Sequence, residues 1–258
     1  MEEPNKQIDN VLIELKRLFS KDLLGVYLYG SYVKGGLKKD SDVDFLVIIN
    51  RDMTKEEKRI LISKIMPISK EIGEDTSLKY IELTVLNYHE NENWSYPPIE
   101  EFIYGEWLRE DYLNYFIPEK NNNIDLTILL YQAKLSSISI YGENNINNLI
   151  PDVPFIDLQK AIKESSKELI KDFYGDETNV ILTLCRMIVT YETGKFYSKD
   201  LAGSMIIENL SENLSIEENN LISLAISSYK NGNSVDWELF PVKSVIKKLY
   251  AYLNYKLW

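Results

Sequence analysis

A single cysteine, Cys185, and a single histidine, His89, occur in a chain of 258 residues. One cysteine excludes an internal disulfide and any zinc cage built on thiolates, and one histidine leaves little scope for an imidazole metal site. Positive charge is also short: 29 Lys and Arg stand against 40 Asp and Glu, a net charge of −11. A protein that holds a long nucleic acid needs a basic face to displace counterions from phosphate, and nothing here supplies one. No stretch approaches the ~18 uninterrupted apolar residues of a membrane-crossing helix. The polar start, residues 1–10, lacks the basic lead and apolar core of a secretory signal. The expectation is a cytoplasmic protein without membrane or nucleic-acid partners. Acidic clefts attract small cations, although acidity serves solubility equally well.

Apolar residues make up 45% of the chain, enough to build a core, and the length fits one large domain or two modest ones. Ile8, Val11, Leu12, Leu15, Leu18 and Phe19 recur at helical spacing, so the chain opens with an amphipathic helix. Leu24–Tyr29 reads as a short buried strand ended by Gly30-Ser31, and Gly35-Gly36 marks a turn. Val43–Ile49 is a second strand, Lys55–Ile72 a helix, and Tyr80–Leu86 a third strand with polar and apolar positions alternating. The second half carries no strand pattern. Ile124–Ser139, Ile156–Leu169, Asn179–Glu192, Lys199–Asn209, Ile216–Tyr229 and Val242–Leu253 all read as helices. Between them the Asn- and Pro-rich stretch 144–154 has little periodicity, which puts a domain boundary there. The expected organisation is a small mixed α/β domain over residues 1–150 and a helical bundle over 151–258.

The chemistry-bearing residues lie in the first half. Residues i and i+2 of a strand share a face, so Asp42 and Asp44 project together while Val43, Phe45 and Val47 turn into the core. Two carboxylates side by side repel unless a cation sits between them, and oxygen-only ligands suit Mg²⁺, which also takes phosphate oxygens. Gly30 allows close backbone approach to a phosphate, and Ser31 with the amides behind it can donate to the same group. Glu82 lies on the polar side of its strand with Tyr80 and Thr84. If that strand pairs with the second, a third carboxylate reaches the site. Taken singly, each of these is an ordinary turn or solvated residue. Together they form a strand, Gly-Ser, Asp-x-Asp in an apolar strand, and Glu on a third strand.

Gly30-Ser31 followed by Asp42-Val43-Asp44-Phe45 resembles the signature of the DNA polymerase β-like nucleotidyltransferase superfamily. The longer segments "VYLYGSYVKGGLKKDSDVDFLVI", "IELTVL", "WSYPPIEEFIYGEWLRE", "GDETNVILTLCRM" and "TGKFYSKDLA" resemble aminoglycoside adenylyltransferases that modify spectinomycin, streptomycin or both. The resemblance implies a nucleotidyltransferase domain followed by a helical domain that closes on substrate and nucleotide. It implies ATP as co-substrate, two Mg²⁺ ions, and a monomer acting on small molecules. By position, Asp42 and Asp44 match the metal ligands, and Glu82 matches a carboxylate at the metal and drug that serves as catalytic base. Gly30 and Ser31 match contacts to the triphosphate, with Ser41 as a second serine. Arg186, Lys199 and Tyr229 match nucleotide-facing positions of the helical half. Trp107 and Asp176 match the drug site, and Asp176 also suits a helix N-cap. Asp172, four residues before Asp176, matches members that accept streptomycin as well. "EFIYGEWLRE", by contrast, reads like the spectinomycin-only branch, so the second drug stays open.

The implied reaction is in-line attack of a drug hydroxyl on the α-phosphorus of ATP, with Glu82 taking the hydroxyl proton. Two other readings keep the fold. An enzyme that extends RNA would need a basic channel, and protein-modifying members tend to lack this helical half. A non-catalytic nucleotide sensor need not keep all three carboxylates.

Overall fold

The structure, a computed structural model, describes residues 3–33, 41–74, 76–210 and 212–255. The expected Gly35-Gly36 turn lies outside them. The chain divides into two compact units, Met1–Val153 and Pro154–Trp258.

The first unit runs α1 (Glu3–Phe19), β1 (Leu23–Tyr29), a single turn α2 (Gly30–Val33), β2 (Val43–Ile49), α3 (Lys55–Ile65) and β3 (Ile81–Asn87). It continues with α4 (Tyr88–Asn91), β4 (Ile99–Glu100), β5 (Phe102–Tyr104), α5 (Arg109–Leu113), β6 (Asn121–Asn122), α6 (Ile124–Leu135) and β7 (Ile138–Gly142). Five strands form one mixed sheet in the order β5-β3-β2-β1-β7, and β4 and β6 pair separately. β2 and β3 are parallel, as a strand–helix–strand crossover through α3 requires, and the other pairs are antiparallel.

Both faces of the sheet are covered. Val26, Leu28, Val43, Phe45, Val47, Leu83 and Val85 pack against Val11, Leu15 and Phe19 of α1 and Leu61 and Ile65 of α3. On the opposite face Tyr27, Tyr29, Leu46, Ile48 and Leu86 pack against Leu126, Leu130 and Ala133 of α6. The face that carries Asp44 and Glu82 is thus a second core for most of its length. Thr84, expected on an open polar side, is fully buried there.

Three local readings are corrected. The helix expected to Ile72 ends at Ile65 and passes into a 3-10 turn, Met66–Ile68. Pro67 has no N–H for the ladder, and its ring clashes with the turn before it. The helix expected over Ile124–Ser139 stops at Leu135, where Ser136 turns extended. Ile138–Gly142 then becomes β7, paired to the free edge of β1. Its β-branched residues alternate with Ser139 and Tyr141 and suit a strand once that edge is offered. The stretch from Ile124 onward, expected to be wholly helical, therefore contains one strand among the described residues, β7, and the short β4, β5 and β6 precede it.

The second unit is helical: α7 (Phe155–Leu169), α8 (Glu177–Thr193), α9 (Lys199–Leu210), α10 (Ile216–Asn231) and α11 (Val242–Tyr255). α8 is its centre and touches each of the other four. It buries Val180, Ile181, Leu182, Leu184, Cys185, Ile188 and Val189. Cys185 is a core residue, and burial pushes its thiol far above the ordinary range. Gly194 and Gly232 end α8 and α10 in the left-handed conformation that favours glycine.

Candidate active site

Strand register builds the first cluster. Tyr29 lies opposite Asp44, and Asp44 lies beside Glu82 in the parallel β2–β3 pair. The three side chains form one row across the sheet, at the end of the strands where the second core gives out. Asp42, just before β2, shares the face of Asp44. Carboxylate oxygens of Asp42, Asp44 and Glu82 lie within 4.8 Å of one another, and all three residues are half-buried.

The glycine–serine turn is locked to this row. Gly30 has φ +69°, and a Cβ there would overlap the Asp44 carboxylate. No other residue would fit on either count. Ser31 Oγ donates to the backbone oxygen of Asp42 at 3.2 Å, tying the turn to the Asp-x-Asp segment. Ser31 and Ser41 are both half-buried at this corner. Beneath it, burial pushes the Tyr29 phenol well above its usual range, reinforced by Glu82, Asp44, Asp42 and Glu100 in that order. The corner is strongly negative. Its all-oxygen donor set is what a hard divalent cation such as Mg²⁺ takes.

Trp107 lies in a 3-10 turn, Glu106–Leu108, with its ring folded over Gly105 and 56% exposed. The neighbouring Glu106 is buried and accepts from the Tyr104 hydroxyl at 2.5 Å and from Arg109 Nε at 2.6 Å. That anchor fixes the segment and leaves the indole presented to solvent.

In the second unit Asp176 occupies the N-cap position of α8, but its side chain does not cap a backbone N–H. It accepts instead from Asn179 Nδ2 at 2.7 Å. Asn179 Oδ1 receives Thr183 Oγ1 at 3.2 Å and the Lys199 ammonium from the start of α9. Asp176 and Lys199, expected to face different substrates, are thereby joined through one amide. Arg186, seven residues past Asn179, lies on the same stripe of α8 and is half-buried. Tyr229 is half-buried in the last turns of α10, and Asp172 is exposed on the turn between α7 and α8. Asp176 also lines a cavity of about 410 Å³ with Tyr174, Glu177, Asp236, Trp237 and Glu238, and no basic side chain lines it.

The nucleotidyltransferase domain family matches residues 8–103, and the aminoglycoside adenylyltransferase C-terminal domain family matches residues 148–253. A spectinomycin 9-adenylyltransferase of Enterococcus faecalis is 46% identical over 98% of this chain and 95% of its own length. The chain belongs to the aminoglycoside adenylyltransferase family. A spectinomycin 9-adenylyltransferase of Staphylococcus aureus is 41% identical over 97% of this chain and 94% of its own. An aminoglycoside (3'') (9) adenylyltransferase of Shigella flexneri is 35% identical over 81% of this chain and 80% of its own. A crystal structure of spectinomycin adenyltransferase AAD(9) from Enterococcus faecialis with ATP and spectinomycin superposes with a TM-score of 0.92 at 46% identity. It covers 97% of this chain and 99% of that one.

Two residues of this adenylyltransferase that touch the candidate site residues were not singled out from the sequence. Tyr29 looked like an interior strand residue, and only the β1–β2 register reveals it beside the carboxylates. Asn179 looked like a neutral helix surface residue. Its signal was the i, i+3 spacing from Asp176, which places the two side chains on one face of a helix start.

Proposed function

We propose that this adenylyltransferase transfers AMP from ATP to a hydroxyl of spectinomycin and releases pyrophosphate. The observation that carries the reading is the convergence of Asp42, Asp44 and Glu82 within 4.8 Å beside the Gly30-Ser31 turn. Relatives whose names state this activity align over nearly the whole chain.

Asp42 and Asp44 would hold Mg²⁺, two ions in our reading, and the metal when bound supplies Lewis-acid stabilisation of phosphate oxygens. Gly30 leaves room for the triphosphate, and Ser31 and Ser41 donate to it. Glu82 accepts the proton of the attacking hydroxyl, a poor nucleophile until it is deprotonated. The new bond forms between that oxygen and the α-phosphorus as the bond to the β-phosphate oxygen breaks. Lys199 and Arg186 supply positive charge to the nucleotide, and Tyr229 is the aromatic residue we assign to it. Trp107 offers a flat face to the drug, and Asp176 and Glu82 offer carboxylates to its ammonium groups. The cavity beside Asp176, whose charged lining residues are all acidic, fits a cationic substrate. A cytoplasmic location is part of this proposal. Among the described residues no helix is long and apolar enough to cross a membrane.

A second reading adds streptomycin as a substrate. It rests on exposed Trp107 and exposed Asp172, which can meet a guanidinium through cation–π contact and paired hydrogen bonds. The test of the main reading is pyrophosphate release from ATP and Mg²⁺ with spectinomycin, with RNA, or with neither. Release that depends on spectinomycin supports it. Release with RNA alone, or none at all, rejects it.

A further inference from the structure

We infer that the Tyr29 hydroxyl is a drug-binding donor, placed beside Glu82 to hold the oxygen of the attacking hydroxyl. The inference rests on the reading above, in which Glu82 receives the proton of that hydroxyl. Tyr27, Tyr29, Tyr104 and Tyr112 are the buried tyrosines among the described residues. All but Tyr29 use their hydroxyls inside the protein. Tyr27 donates to the backbone oxygen of Glu143 at 2.6 Å, Tyr104 to Glu106 Oε1 at 2.5 Å, and Tyr112 to the backbone oxygen of Ile103 at 3.1 Å. The Tyr29 side chain is 5% exposed, yet no described residue accepts a hydrogen bond from it. A buried donor without a partner costs stability, so a ligand oxygen is the acceptor this hydroxyl fits.

Its place in the sheet says which oxygen. Tyr29 lies opposite Asp44, and Asp44 lies beside Glu82, all on one face. Two strand spacings of ~4.8 Å separate Tyr29 from Glu82, a span within the combined length of the two side chains. Burial raises the phenol, and Glu82 leads the carboxylates that add to the rise. The hydroxyl is also not sealed in, as the unpaired hydroxyl of Thr84 is, two residues past Glu82. A phenol donates, an ionised carboxylate accepts, and a hydroxyl oxygen offers one proton and two lone pairs. One attacking hydroxyl can therefore meet both groups. Its proton goes to Glu82, one lone pair receives Tyr29, and the other is left for the α-phosphorus.

The experiment compares wild type and Tyr29→Phe, full chain, by calorimetric titration of spectinomycin and of MgATP and by melting without ligands. The variant removes one oxygen and keeps the ring. Spectinomycin is expected to bind about fivefold more weakly, the scale of one neutral hydrogen bond, and MgATP as in wild type. The melting temperature should be equal or higher, because an unpaired buried donor has gone. A lower melting temperature would show that the hydroxyl has a partner within the fold, and it overturns the inference. So does equal weakening of both ligands, which a general disturbance of the corner produces. Unchanged spectinomycin affinity with slower turnover gives the hydroxyl to Glu82 itself, and it overturns the inference as well. Wild type that binds no spectinomycin overturns the underlying reading together with the inference, whereas wild-type binding matched by Tyr29→Phe overturns the inference alone.

Discussion

Replacing Asp44 with asparagine keeps the side-chain shape and removes one of three charges at the carboxylate corner. At 4.8 Å two unit charges repel by about 3.5 kcal/mol at an effective dielectric of ~20 and by about 1 kcal/mol in water. The corner is half-buried, so about 2 kcal/mol per pair is a fair middle value, and Asp44 takes part in two of the three pairs. Hydrogen bonds that an ionised Asp44 accepts offset part of the relief. The net expectation is a gain of about 1–2 kcal/mol when divalent cations are chelated, which raises melting by roughly 2–6 °C in a chain of this size. With Mg²⁺ the gap narrows. At ten times its dissociation constant a ligand of the folded state adds about 1.4 kcal/mol, and wild type gains this while Asp44→Asn gains less. The assay is thermal melting followed by circular dichroism, in EDTA and across a Mg²⁺ series, with pyrophosphate release measured alongside. Transfer should be abolished in the variant. A variant that melts below wild type in EDTA would show that Asp44 holds the fold and would refute the metal-ligand reasoning.

Glu82→Gln should bind ATP and spectinomycin nearly normally but turn over at least ~100-fold more slowly, the scale of general-base loss. Near-normal pyrophosphate release would remove Glu82 as the base. Trp107→Ala and Asp172→Ala should keep spectinomycin resistance in a sensitive bacterium and abolish any streptomycin resistance. Full streptomycin resistance in Asp172→Ala would detach Asp172 from drug selection. Glu57 tests the fold by pH. The Arg51 hydrogen bond, opposed by burial and helped by Thr54, lowers its carboxyl from 4.5 to about 2. A depressed folded value stabilises above about pH 4.5, and the gain is lost as pH falls through about 2. Because Arg51 is 35% exposed, the contribution near pH 7 is put at about 1 kcal/mol rather than the full linkage value. The melting gap between wild type and Glu57→Gln should narrow below pH 4.5, and a gap constant down to pH ~2.5 would contradict the assignment.

The parts of the fold legible in the sequence were those whose pattern is local. β1 and β2 announce themselves as short apolar runs and β3 through alternation, and α7 to α11 match their periodic segments within two residues at every end. β7 was not legible because Ile138–Gly142 continues an apolar helical run, and only the open edge of β1 makes it a strand. The burial of Thr84 was hidden for a related reason, since α6 covers the sheet face that the alternation marks as polar. The carboxylate cluster was legible because strand geometry puts Asp42 and Asp44 on one side, and the β2–β3 register then delivers Glu82. The contact of Asn179 with Lys199 depends on where α9 begins relative to α8, a long-range fact with no local pattern.

The central claim is that this chain moves AMP from ATP to spectinomycin, and the most direct measurement is mass spectrometry of the drug after incubation with ATP, Mg²⁺ and enzyme. The account predicts spectinomycin carrying one AMP, formed in equal amount with pyrophosphate, and neither product from Asp44→Asn. Unmodified spectinomycin, or a drug carrying only phosphate with ADP released, would contradict it.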